Sequence, residues 1–345
     1  MAESRSPARG SRESQGDPVA EALAGALERV AGAPPWAILL FGSRLVGTTP
    51  GRQSAYDLIV VVDAYAPFYQ RLREHGLSSR RPWLMTALAH ILPPNVIALD
   101  PGLPGGEIAK VMVLTPQDLE KALSQGARDH FLRGRLVQST MILRARPDAW
   151  PRLEALLAGA RQDVLRWTAP WLPESFEAQS LALRMLEVSY AAEVRPEAPG
   201  RVCAVFDAQR DFLQREYQRV LEEGERAGTV TRAGSRWRLS APPGRVARVR
   251  SRLYFLRSKA RATARWLKHI VTFDDWLAYI QGKVERRTGL RVEVTPLERR
   301  FPLVLLWPKV IRVLGELRRT RLAEASRVRE ARLTPGAPVR QQERQ

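Results

Sequence analysis

Along the first 115 residues, short apolar runs are separated by polar breaks rich in Gly and Pro; longer amphipathic stretches follow. Pro18–Val30 spaces Val19, Leu23 and Leu27 four apart, which predicts a helix. Trp36–Phe41 and Asp57–Val62 are short, apolar and partly β-branched, so both predict buried strands. Phe68–Glu74 and Trp83–Leu92 predict helices, and Val96–Leu99 and Lys110–Leu114 predict further strands. The stretch "DPGLPGGE" between those two strands is a loop. Strands mixed with helices in this way predict a sheet domain, α/β or α+β, over residues 18–116.

Beyond Thr115 the pattern becomes mostly helical. "TPQDLEKAL" carries a helix start, with Thr115 as the cap, Pro116 at the first position and acids in the first turn. Trp150–Trp167, Ala178–Val188 and Val205–Glu223 predict helices, and "GTVTRAGSRWRLS" alternates about a Gly turn like a small hairpin. Helices followed by a hairpin are the element order of a winged helix, so residues 117–243 are expected to form a helical, winged-helix-like domain. Gly244–Lys268 is basic, partly apolar and helical in pattern. It opens a basic helical C-terminal extension expected over residues 244–333, with further helices at Asp274–Thr288 and Leu303–Leu317. The polar stretches 1–17 and 334–345 are expected to be disordered tails. The fold class expected is α+β, and no internal repeat is visible.

Charge changes the picture more than composition does. A hydrophobic fraction of 45% is ordinary for a chain that buries a core, but a formal net charge of +19 is not. Such a charge favours an anionic partner: nucleotide, nucleic acid or acidic membrane. The single cysteine, Cys203, excludes an intramolecular disulfide and a Cys-rich zinc site. The histidines His75, His90, His130 and His269 are scattered without metal-ligand spacing; His130 is expected to be structural. No apolar run approaches the roughly 20 residues of a spanning helix. The N-terminus has no apolar core of a secretory signal.

The chemistry concentrates in "LLFGSRLVGTTPGRQSAYDLIVVVDAY", Leu39 to Tyr65. Gly42 permits close backbone approach to a phosphate, Ser43 adds a hydroxyl, and Asp57 opens the next strand where a carboxylate could hold Mg²⁺. Phosphoryl and nucleotidyl transfer need these features: charge neutralisation, positioning and a metal. The same residues also fit an ordinary hairpin, with Gly at the turn and Asp57 at a strand mouth. The sister carboxylate common two residues along such a strand is absent, because Ala55 and Ile59 stand there. Asp63 is on the same strand face but about 20 Å away at about 3.3 Å per residue, so it cannot share a metal with Asp57.

Strand, Gly-Ser, loop, strand with Asp resembles the nucleotidyltransferase superfamily. Further segments narrow the resemblance: "IAKVMVLTPQDLEKALSQGARDHFLRGRL", "LPESF" at Leu172–Phe176, "LEVSYAAEVRPE" at Leu186–Glu197 and "VFDAQRDFLQREY" at Val205–Tyr217. In this order, over roughly Trp36 to Arg238, they resemble the mitochondrial translocator assembly and maintenance family of phosphatidate cytidylyltransferases, in a bacterial form. The resemblance implies CTP and phosphatidic acid giving CDP-diacylglycerol and pyrophosphate, with Mg²⁺. It implies phosphate contacts from Gly42 and Ser43, a metal carboxylate in Asp57 and a triphosphate contact in Lys110. Glu193 stands where the family has Asp and is the implied second metal ligand. Ala192 replaces the family's Gly, Arg195 matches an Arg that favours an anionic substrate, and Gly134-Arg135 matches at a domain interface. Each has a plainer reading: a solvated edge lysine for Lys110, a surface acid or Arg195 partner for Glu193, a packing salt bridge for Arg135 and a helix-entry acid for Glu174. Tyr190 is expected to be core.

A lipid substrate with no spanning helix implies work at the membrane surface, at the inner face of the cytoplasmic membrane. Leu305, Leu306 and Trp307, flanked by Lys309 and Arg312, have the composition of an interfacial segment. They also fit a helix packed on the core, although Pro302 and Pro308 would break it. Nucleic acid is not the expected partner. The alternatives are a nucleotidyltransferase with another acceptor (an RNA end, a protein or a small molecule) and a non-enzymatic nucleic-acid-binding protein.

Overall fold

The computed structural model describes residues 17–48, 55–193 and 200–272. Helix α1 (Pro18–Ala31) starts at Asp17, whose carboxylate accepts the N–H groups of Val19 (3.0 Å) and Ala20 (3.3 Å). Strand β1 (Ala37–Phe41), a single turn α2 (Ser43–Val46) and strand β2 (Tyr56–Val61) follow. Helices α3 (Tyr65–Glu74) and α4 (Pro82–Ile91) lead to strands β3 (Asn95–Leu99) and β4 (Ala109–Leu114). Helix α5 (Pro116–Leu123) is capped by Thr115, which accepts the Asp118 N–H at 3.3 Å, as the sequence predicts. After α6 (Arg133–Leu136) comes strand β5 (Thr140–Ala145).

The five strands form one mixed sheet in the order β3-β4-β2-β1-β5, with β2 and β4 parallel and the other pairs antiparallel. The sheet therefore does not end at residue 116: its fifth strand comes from Thr140–Ala145, in the stretch expected to be helical. The class is α+β, as expected. Alternation along the strands feeds two cores. Ile38, Leu40, Leu58 and Val60 face α1, α3 and α4, while Leu39, Phe41, Ile59 and Met112 face the helices that follow β4.

Those helices are α5 and α6, joined by α7 (Trp150–Gln162), α8 (Val164–Thr168), α9 (Ala178–Ala191), α10 (Arg201–Ala208) and α11 (Arg210–Arg226). Two expected single helices are broken in two, at Asp163 and at Gln209. Gln209 is used elsewhere: its side chain accepts the Ser139 N–H (3.1 Å) and donates to Gln138 (3.1 Å), tying α10 and α11 to the entrance of β5. The hairpin β6 (Val230–Ala233) and β7 (Arg236–Leu239) turns at Gly234, and Trp237 bridges to Phe176 ahead of α9.

The basic segment after Gly244 forms a 28-residue helix, α12 (Arg245–Thr272). Its second half is not an appendage. Arg261 and Arg265 grip Asp129 at 2.7 and 3.0 Å. Lys268 donates to the carbonyls of Leu88 (3.4 Å), Leu92 and Pro94 (2.8 Å). Thr272 donates to the Val96 carbonyl at 3.0 Å. The helix thus covers β3, an edge strand, and answers backbone groups that pairing alone leaves open. The helices expected at Asp274–Thr288 and Leu303–Leu317 lie outside the described residues, as do most of both expected tails.

Candidate active site

Phe41, the last residue of β1, lies opposite Asp57 on β2. The chain leaves β1 through Gly42, at φ +82° and ψ −160°, a conformation that L side chains rarely adopt. A Cβ at that position would sit 2.7 Å from Asp57 Oδ2. Gly42 is therefore required twice, by its own backbone and by the carboxylate packed against it. Ser43 then opens α2, and its carbonyl accepts the Thr48 N–H at 3.2 Å.

Lys110 is the register partner of Asp57 across the parallel β2–β4 pair. Strand β4 lies inside the sheet, so the plain reading of Lys110 as an edge lysine does not hold. Both side chains leave the sheet on the face that carries Ile59 and Met112, towards the larger core. Ala98 is the partner of Lys110 on the other side. The apolar face of the sheet thus ends in an acid and a base, with a small residue and the Gly42 turn beside them.

Helix α6 brings Arg135 to the same face. Gly134 packs so closely on α9 that a Cβ there would lie 3.0 Å from the Ser189 Cβ. That approach lets the Arg135 guanidinium meet both carboxylate oxygens of Glu193, just past α9; the Nη2–Oε2 bond is 2.9 Å. The pair is mostly buried, with 13% and 9% of the two side chains exposed. Arg135 also stacks on Phe131, its Cζ 3.8 Å from the ring centre. Among the described residues Glu193 pairs with Arg135; Arg195, the partner that sequence pointed to beside a metal, lies outside them.

Two residues that sequence reasoning passed over also approach the Gly42 turn. Arg201 begins α10 and donates to Thr48 Oγ1 at 3.3 Å. Its signal was present in Gly200-Arg201 at a helix start. Arg44 lies over the Tyr56 ring at 4.9 Å. The Tyr56 hydroxyl donates to Asp17 at 2.8 Å, and burial, then Asp17, pushes its pKa up to about 12.

Several expectations find structural partners. His130 is buried, with Nε2 3.1 Å from Ser189 Oγ; burial, reinforced by Arg133, pushes its pKa down to about 3, as suits a core histidine. Asp63 lies beyond the end of β2 and pairs with Arg146 at 3.1 Å. Glu174 is exposed and reaches Arg238 at 3.7 Å. Tyr190 packs against the larger core. Arg195 and the expected membrane residues Leu305, Leu306, Trp307, Lys309 and Arg312 lie outside the described residues.

No group of three or more His, Cys, Asp or Glu side chains gathers among the described residues, so a Mg²⁺ ion here would have Asp57 as its carboxylate. Asp57 is half-buried beside a glycine turn, and Mg²⁺ commonly takes one or two carboxylates with phosphates and water completing its shell. Glu193, expected as the second ligand, meets Arg135 with both carboxylate oxygens. No protein-family model matches the chain, and no curated protein matches it.

Proposed function

We propose that the protein is a nucleotidyltransferase that transfers a cytidylyl group from CTP to phosphatidic acid at a membrane surface. The observation that carries the reading is the packing of Gly42 against Asp57, with Lys110 in register beside the carboxylate. A hairpin needs none of this, since a turn glycine has no reason to abut an acid at the end of an apolar sheet face. In the proposed reaction a phosphate oxygen of the lipid attacks the α-phosphorus of CTP, the bond to the bridging oxygen breaks and pyrophosphate leaves. The Gly42-Ser43 turn would hold the triphosphate, and Lys110 would offset its charge. Asp57 would hold Mg²⁺, which when bound supplies further neutralisation of the phosphates. Arg135, fixed by Glu193 and Phe131, would keep a guanidinium near the reacting groups. The order α7–α8, the Phe176 bridge, α9, α10–α11 and the β6–β7 hairpin supports a winged-helix-like second unit, the element order that the sequence predicts.

A surface location is supported by the first half of α12. Val246, Val249, Leu253 and Leu256 recur at helical spacing and are 83%, 55%, 61% and 66% exposed. Arg245, Arg248, Arg250, Arg252 and Arg257 accompany them, and the helix contains no acidic residue. An apolar stripe set among arginines suits an anionic lipid surface better than water or a second copy of the same positive helix. None of the helices among the described residues is long and apolar enough to cross a membrane. The test is a screen of purified protein with the four NTPs, Mg²⁺ and phosphatidic acid in mixed micelles. CDP-diacylglycerol and pyrophosphate should form from CTP alone. Transfer to RNA, or release of pyrophosphate without lipid, would replace the acceptor; no turnover would remove the enzyme reading.

A further inference from the structure

The second half of α12 does more than cover β3. Arg261, Arg265, Lys268 and Thr272 are each engaged with β3, with the chain leading into it, or with Asp129. His269 stands among them, one turn beyond Arg265, and has no such engagement. Its Nε2 is buried and finds no partner among the described residues. A buried polar atom left without a partner costs free energy unless something arrives to meet it.

The surroundings say what could arrive. Lys110 from β4, Arg135 from α6, and Arg265 and Lys268 from α12 all act on the His269 imidazole electrostatically. Arg135 and Arg265 stack on the same Phe131 ring, at 3.8 and 4.3 Å from its centre. Asp129 answers Arg261 and Arg265, Glu193 answers Arg135, and Asp57 lies beside Lys110. Burial first, and then Lys110, hold the imidazole well below its ordinary pKa. A neutral imidazole acted on by Lys110, Arg135 and Arg265 is a poor neighbour for another cation and a good donor to an anion.

We propose that His269 is a phosphate-binding residue of the candidate active site, its Nε2 meeting a phosphate oxygen beside Lys110. The inference rests on the cytidylyl-transfer reading for the identity of the phosphate, which either the CTP triphosphate or the lipid phosphomonoester could supply. It makes α12 a part of the site, so that one helix joins the phosphate wall to the apolar stripe at its other end.

The chain has four histidines, which makes imidazole NMR on the intact protein tractable. Three probes would be added separately: pyrophosphate, Mg²⁺ with CTP, and a short-chain, soluble phosphatidic acid. The His269 signals should move on saturation with at least one probe, while those of buried His130 stay in place. The probe that moves them identifies the source of the phosphate. His269→Phe should bind that probe about 10-fold more weakly, as expected for a lost hydrogen bond to a charged group. His269→Gln, which keeps a donor, should recover part of the loss. His269 signals unmoved by all three probes, or wild-type affinity in a folded His269→Phe, would overturn the proposal. If His269→Phe fails to fold, the wild-type spectra and His269→Gln decide. Movement with pyrophosphate in a protein that shows no cytidylyl transfer would keep the phosphate site and discard the proposed reaction.

Discussion

Asp57 and Lys110 stand side by side on parallel strands, and the Gly42 turn closes over the carboxylate. Replacing Asp57 by Asn keeps the shape and removes the charge, so turnover in the lipid and CTP assay should vanish while circular dichroism and melting stay near wild type. Activity within a few-fold of wild type would show that Asp57 carries no metal.

Gly42→Ala should cost about 1–3 kcal/mol from backbone strain alone, with the contact to Asp57 added to it. Because the nearest obstructing atom is Asp57 Oδ2, Gly42→Ala combined with Asp57→Ala should lose less stability than the two single changes summed. Urea denaturation of the four proteins measures that coupling. Strict additivity would mean that the turn does not lean on the carboxylate.

The Arg135–Glu193 pair is mostly buried and joined at two points. Removing either partner leaves the other charge uncompensated, at a cost of about 3–5 kcal/mol. Arg135→Lys should not rescue it, because a point charge cannot reproduce the planar fork. Thermal melts of Arg135→Lys and Glu193→Gln should therefore both fall well below wild type. An unaffected Glu193→Gln melt with lost activity would instead return Glu193 to the metal.

Vesicle flotation tests the stripe on α12. Val246→Ser with Leu253→Ser should weaken binding to anionic vesicles and leave the melt unchanged, since both side chains are exposed. Residual binding should fall as salt rises, because the arginines act through screened attraction. The 301–312 segment supplies the control: if deleting it abolishes binding while the stripe variant floats normally, the surface contact lies there.

Lys268 predicts a pH dependence. Burial, with Arg265 and Arg261 nearby, pushes its pKa down from an ordinary 10.5 to about 6. Between those values the unfolded chain holds the proton and the folded chain does not, so stability rises with pH through that window. Lys268→Met should flatten this rise in urea titrations between pH 6 and 10. Parallel wild-type and mutant profiles would show that Lys268 stays charged against its three carbonyls.

The sequence by itself determined the elements that local chemistry specifies. Strands β1 to β4 follow from short apolar runs between Gly- and Pro-rich breaks, α5 from its Thr115 cap, and the β6–β7 hairpin from alternation about Gly234. It also singled out Gly42 and Asp57, because a glycine turn and a charge stand out against apolar strands, while the family resemblance pointed to Lys110. Tertiary structure decided the rest. Strand β5 carries no full apolar run and no fully buried residue, and it is a strand because the edge of β1 offers it hydrogen bonds. Glu193 finds Arg135 across 58 residues of sequence, and Lys268 finds Leu92 across 176, pairings that no local spacing encodes. The electrostatic effect of Lys110 on His269 has the same origin. A helix records its own amphipathic pattern in its sequence, but which edge it covers is set by the open backbone groups of a strand far away in the chain.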